Sequence, residues 1–88
     1  MIEVTDVSPL KDYRLLVTFD TGERKIFDVS PFLERGVFRY LQNESIFNQV
    51  TIQYGAVTWF KAGDTEIDLD PHMMYQQAIP WEASLHQS

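Results

Sequence analysis

Between Asp64 and Pro71 the chain reads D-T-E-I-D-L-D-P, and no other stretch constrains the fold as tightly. Thr65, Ile67 and Leu69 alternate with Asp64, Glu66, Asp68 and Asp70. A period of two belongs to an extended strand, so the carboxylates share one face and Ile67 and Leu69 share the other. Like charges in one row repel, and that face needs water, a cation or a basic partner. Asp70–Pro71 then ends the strand and opens a helix. Asp70 can accept from the free amides of a first helical turn, and Pro71 fits the first helical position, where its missing N–H costs nothing. The helix runs through Met73, Met74, Gln77 and Ala78 and stops before Pro80. Upstream, Ala56 to Phe60 is β-branched and aromatic, which suits a pleated surface. Lys61 to Asp64 supplies the turn between the two strands, with Gly63 free to take positive φ.

The rest of the chain follows the same logic. Ile2, Val4 and Val7 open a strand that Ser8–Pro9 interrupts, and a proline there marks an edge. Lys11–Asp12 reads as a turn. From Tyr13 to Phe19, Leu15, Val17 and Phe19 fall on one face. Asp20–Thr21–Gly22–Glu23 is a hairpin turn, and Arg24 to Val29 is the return strand. Residues 1–29 are therefore expected to form a three-stranded antiparallel meander. Ser30 and Pro31 begin a short helix near 31–35 that Gly36 ends. Asn43–Glu44–Ser45 begins a second near 44–50, and the third lies at 71–79. Thr51 to Tyr54 is a further strand, which Gly55 turns into the Trp59 strand. The expected architecture is α+β: one antiparallel sheet of five to six strands, the N-terminal meander plus a C-terminal hairpin, with short helices on one face. No repeat or linker divides the chain, so 1–80 is read as a single domain and 81–88 as a C-terminal tail.

Composition narrows the function classes. The chain has 88 residues, of which 44% are hydrophobic and 14% aromatic. A core is available, although a chain this short buries only roughly 60–65% of its unfolded surface. It has no cysteine, which removes disulfides, thiolate catalysis and Cys-ligated zinc together and fits a reducing compartment. The N-terminal MIEVTDV is neither a basic n-region nor a long apolar run, so no signal peptide or membrane helix is expected, and the expected location is the cytoplasm. The net charge of −6 repels phosphate backbones, and the seven Lys and Arg are scattered. Nucleic-acid binding is not expected of this chain alone.

No reactive constellation assembles along the sequence. Asp64, Glu66, Asp68 and Asp70 match the first, third, fifth and seventh positions of a calcium loop, but the glycine and closing glutamate that loop requires fall on Leu69 and Tyr75. Asp70 with His72 is a weak metal pair, and His86 lies near the end of the chain. The serines occupy turn, cap or tail settings with no nucleophile elbow, and the glycines are too dispersed for a phosphate loop. Trp59, Phe60, Tyr75 and Trp81 invite base stacking, but the neighbouring strand is acidic, so a core or interface role is the better reading. No metal, cofactor or catalytic residue is expected.

Several landmarks together carry a resemblance. They are L-x-V-x-F-x-x-G-E at Leu15, Val17, Phe19, Gly22 and Glu23; D-V-S-P-F-L at Asp28 to Leu33, leading to Gly36–Val37–Phe38 and Leu41; F-x-x-V at Phe47 and Val50; and V-T-W at Val57 to Trp59, with Gly63 and then D-L-D-P at Asp68 to Pro71. Over residues 2 to about 78 this resembles the small bacterial family known as domain of unknown function 2442. The family usually shows W-P-N-G after the strand, whereas here Phe60–Lys61–Ala62–Gly63 follows Trp59 and the turn is longer. The resemblance implies no established activity. It implies that some members are fused to a helix-turn-helix domain. Others neighbour a second small family in pairs arranged like toxin–antitoxin modules. With Ser88 as its last residue, this chain is not expected to carry such a fusion.

The resulting expectation is a non-catalytic protein-interaction or regulatory module, an antitoxin-like partner of a neighbouring gene's small protein. The candidate partner-binding residues are Trp59, Asp64, Glu66, Asp68, Asp70, Met74, Tyr75 and Trp81. Edge strands on both flanks of a small sheet add a homodimer to the expected assemblies. Two alternatives stand beside it: a small-molecule-binding domain or minimal enzyme using the Asp68–Tyr75 region, and a domain associated with a transcription regulator.

Overall fold

A computed structural model describes residues 1–60 and 66–84. The expected turn at Lys61 to Asp64 and the last residues of the tail, His86 included, lie outside the described residues.

The meander forms as the alternation predicts. Strand β1 (Val4–Leu10) pairs antiparallel with β2 (Arg14–Phe19), which pairs with β3 (Arg24–Asp28). Leu15, Val17 and Phe19 are buried, and Leu16 and Thr18 on the other face are partly exposed. Pro9 does not end β1. It pairs opposite Leu15 inside the strand, a position open to proline because β1 is the edge of its sheet. The Lys11–Asp12 turn is a 3-10 turn, Lys11–Tyr13, in which Asp12 and Tyr13 both take left-handed φ, 61° and 60°.

The middle of the chain is more irregular than its sequence suggests. The helix expected near 31–35 is a 3-10 turn at Ser30–Phe32, and Ser30 does not cap it. Instead the Asp28 Oδ1 accepts from the Ser30 N–H at 2.9 Å. A second 3-10 segment, Gly36–Gln42, delivers Leu41 to the core. Helix α1 (Glu44–Phe47) begins where Asn43–Glu44–Ser45 places it. Asn43 Oδ1 accepts from the Ser45 N–H at 3.0 Å, but the helix ends sooner than residue 50.

The C-terminal half holds β4 (Thr51–Gln53), β5 (Ala56–Phe60), β6 (Glu66–Leu69), α2 (Pro71–Gln77), the short β7 (Ile79–Pro80) and α3 (Trp81–Ser84). Tyr54 and Gly55 join β4 to β5 with φ of 54° and 75°, both positive, as a two-residue hairpin turn of the primed type demands. The helix expected to run to residue 79 and stop before Pro80 ends at Gln77, and Ile79 and Pro80 form a strand instead. They pair with Ile26 and Lys25 as the last strand of the meander's sheet. The stretch expected to be a tail thus starts as a helical turn directly after that strand.

The single sheet of five to six strands is not what forms. The strands divide into a four-stranded antiparallel sheet, β1-β2-β3-β7, and a three-stranded one, β4-β5-β6. The reason lies in β1. A register shift between Val4 and Asp6 bends the strand, and the Val4 N–H then donates to the Gly55 carbonyl at 2.8 Å. One such bond joins the sheets at a corner, but no ladder continues from it. Both sheets face one core, in which Val4, Leu15, Val17, Phe19 and Phe27 meet Leu41, Phe47, Val57, Trp59, Ile67, Leu69 and Met74.

Candidate functional site

The acidic strand is built as its period predicts. In β6, Ile67 and Leu69 are buried and Glu66 and Asp68 are exposed. Trp59 pairs with Ile67, and Thr58 with Asp68. The Thr58 hydroxyl donates to the Ile67 carbonyl at 3.0 Å and lies 3.4 Å from Glu66 Oε1. The apolar side chains thus fix the register, because a slip of one residue would put Glu66 and Asp68 into the core. Asp64, the first member of the expected row, lies outside the described residues.

Asp70 does what the Asp–Pro pair predicts. Its carboxylate accepts from the Met73 N–H at 3.0 Å and its carbonyl from the Met74 N–H at 3.0 Å, with Pro71 at the start of α2. The cap is exposed, but its carboxylate is engaged.

The C-terminal residues part company. Met74 and Trp59, expected at a partner surface, are fully buried in the core. The Trp59 indole N–H donates to the Phe47 carbonyl at 2.8 Å, and its ring lies 5.9 Å from that of Phe47. Tyr75 is half-buried. Its ring stands edge-on to Phe19 at 5.1 Å, and its hydroxyl donates to Glu23 Oε1 at 2.5 Å. Lys25 closes the group: its Nζ lies 3.6 Å from the centre of the Tyr75 ring and donates to the Tyr75 carbonyl at 2.9 Å. The hydrogen bond from Tyr75 holds the Glu23 carboxyl below its ordinary range, helped by the Thr21 hydroxyl and by the charge of Lys25. The same bond, with some desolvation and the Glu23 charge, pushes the Tyr75 hydroxyl up. Trp81 is half-buried on α3 beside β7.

Tyr54 is a residue that the sequence reading did not single out. It is 95% exposed, and it holds a left-handed backbone that a ring-bearing side chain seldom takes. A Tyr-Gly pair between two alternating runs was the signal, because the primed turn needs positive φ at both places. The Glu23–Lys25–Tyr75 group had no such signal, since Tyr75 lies some fifty residues along the chain from the other two.

A cleft of about 420 Å³ lies near the first 3-10 turn, lined by Leu10, Lys11, Asp12, Tyr13, Glu44 and Asn48 among others. It does not include Asp68, His72 or Tyr75. Among the described residues no three His, Cys, Asp or Glu side chains stand together as a metal site. No helix among them is long and apolar enough to cross a membrane.

What the geometry defines is a small α+β domain of two antiparallel sheets over a common core, with a strand at its surface whose carboxylates are exposed and whose alternate residues are buried. The chain belongs to the family described as Protein of unknown function (DUF2442), whose family model matches residues 4–80. No curated protein and no solved structure matches it.

Proposed function

We propose that this domain is a non-catalytic protein-interaction module of the bacterial cytoplasm, the regulatory or antitoxin-like half of a pair whose other half is encoded next to it. The observation that carries the reading is the setting of Glu66 and Asp68. Both are exposed on a strand whose alternate residues, Ile67 and Leu69, are locked in the core. Their charges are therefore presented at fixed spacing on a rigid support, which is what a recognition surface requires. The polar groups nearby serve the fold instead. Asp70 caps α2, Thr58 bonds to Ile67, and the hydroxyl of Tyr75 is held by Glu23. A small-molecule site over Asp68–Tyr75 has less support for that reason.

Co-purification of the tagged chain with the product of the adjacent gene, from its native host, tests the proposal. Recovery of a stoichiometric complex that the double variant Glu66→Lys, Asp68→Lys no longer forms is the expected result. A folded chain that leaves its neighbour's product in the flow-through, at low salt as well as high, overturns it.

A further inference from the structure

The edges of the two sheets are guarded unequally. In the four-stranded sheet, the outer strands β1 and β7 carry Pro9 and Pro80, which remove ladder donors. In the three-stranded sheet, the β4 side lies next to β1, and the Gly55 carbonyl of its hairpin is taken by Val4. The other edge is β6, which contains no proline and which no strand among the described residues pairs on its outer side.

The register says which backbone groups that edge offers. Gln53 and Ala56 flank the two-residue turn and exchange hydrogen bonds, so Ala56 and Thr58 point their N–H and C=O groups toward β4. Val57 and Trp59 therefore point toward β6 and engage Leu69 and Ile67. By the same alternation the N–H and C=O groups of Glu66 and Asp68 face outward. Among the described residues nothing takes those groups, so the two residues whose backbones are open there are the two whose carboxylates are exposed.

We infer that β6 accepts an additional strand from a protein partner, and that the incoming segment alternates Lys or Arg with apolar residues. This rests on the interaction-module reading and names the partner's chemistry. Main-chain hydrogen bonds to Glu66 and Asp68 supply the pairing, as in other cases of strand addition. Every second side chain of the incoming segment lies beside Glu66 or Asp68 and is basic. The ones between extend the apolar side that Ile67 and Leu69 define. A second copy of this chain fits badly, because antiparallel pairing of two β6 strands sets carboxylate against carboxylate.

Titration of the whole folded domain with a short synthetic peptide alternating lysine with valine tests this. Three comparison peptides accompany it: one with glutamate for lysine, one N-methylated along its pairing edge, and one of the same composition in scrambled order. Amide hydrogen exchange is the readout. The lysine–valine peptide is expected to slow exchange at the Glu66 and Asp68 amides at least several-fold, and the other three are not. The double variant Glu66→Lys, Asp68→Lys alters exposed side chains alone and is expected to reverse the preference toward the glutamate peptide. Binding that leaves the Glu66 and Asp68 amides unprotected, or that the N-methylated peptide reproduces, overturns strand addition while leaving an acidic docking face intact. No binding by any peptide at low salt also overturns it, as does protection of those amides by self-association without peptide. The failure of the broader reading is distinguishable, since it appears as absence of the complex in the co-purification.

Discussion

The Trp59 indole N–H donates to the Phe47 carbonyl at 2.8 Å, deep in the core, and so ties β5 to the end of α1. The Phe47 carbonyl also accepts from the Val50 N–H at 3.3 Å, so the indole is the shorter of its two donors. Trp59→Phe removes the shorter donor, leaves that carbonyl with the longer bond from Val50 alone and opens a small void. It is expected to cost about 2–3 kcal/mol, read from the midpoint of urea denaturation at unchanged slope.

The hairpin tip offers a prediction of the opposite sign. Tyr54 holds φ of 54° with its ring almost wholly in water, so it has little contact within the domain to offset the strain. Asparagine takes this conformation more readily. Tyr54→Asn is therefore expected to raise stability by about 1 kcal/mol, seen as a higher melting temperature. Its neighbour behaves differently. Gly55 has φ of 75°, and a Cβ there would stand 3.0 Å from the Glu3 side chain. Gly55→Ala is expected to destabilise by about 1–2 kcal/mol in the same assay.

Asp70→Ala removes the acceptor for the Met73 N–H at the start of α2. A loss of about 1 kcal/mol is expected, and Asp70→Asn is expected to recover most of it because its side-chain oxygen still accepts. Thermal unfolding of the three proteins side by side makes the comparison.

The Glu23–Tyr75 pair gives the fold a pH dependence at each end of the scale. The Glu23 carboxyl is held below its ordinary value by the Tyr75 hydroxyl, so its contribution is present above the unfolded carboxylate pKa. It is lost as pH falls through the lower, folded value. The Tyr75 hydroxyl is raised, so its contribution is full below the unfolded phenol pKa and is lost as pH climbs through the folded one. Tyr75→Phe is expected to flatten both slopes while leaving the ring against Phe19. Chemical denaturation at a series of pH values across the acidic and alkaline limbs provides the check.

How much of this was legible in the chain depends on how local each cause is. The faces of β2 and β6, the caps at Asn43 and Asp70 and the burial of Ile67 and Leu69 follow from neighbours within a few residues. The division into two sheets does not, because it turns on a bend at Val4 whose partner is Gly55. The role of Ile79–Pro80 is hidden for the same reason: a two-residue strand exists only because Ile26 and Lys25 are there to receive it. At the candidate site, periodicity identified the exposed Glu66 and Asp68. It could not show that Trp59 and Met74 are fully enclosed, since apolar residues of a core and of an interface are the same residue types. Nor could it bring Tyr75 to Glu23 and Lys25, which only the packing of α2 over the first hairpin does.

The corner bond from Val4 to Gly55 also bears on how the chain is made. The meander leaves the ribosome first, and Leu15, Val17 and Phe19 emerge before Trp59, Ile67 and Met74 have been translated. Until those arrive, the greasy face of the sheet has Leu33, Leu41 and Phe47 to lie against but lacks the residues that complete its cover. A product truncated ahead of Thr51 is thus expected to keep apolar surface open and to be prone to aggregation and degradation.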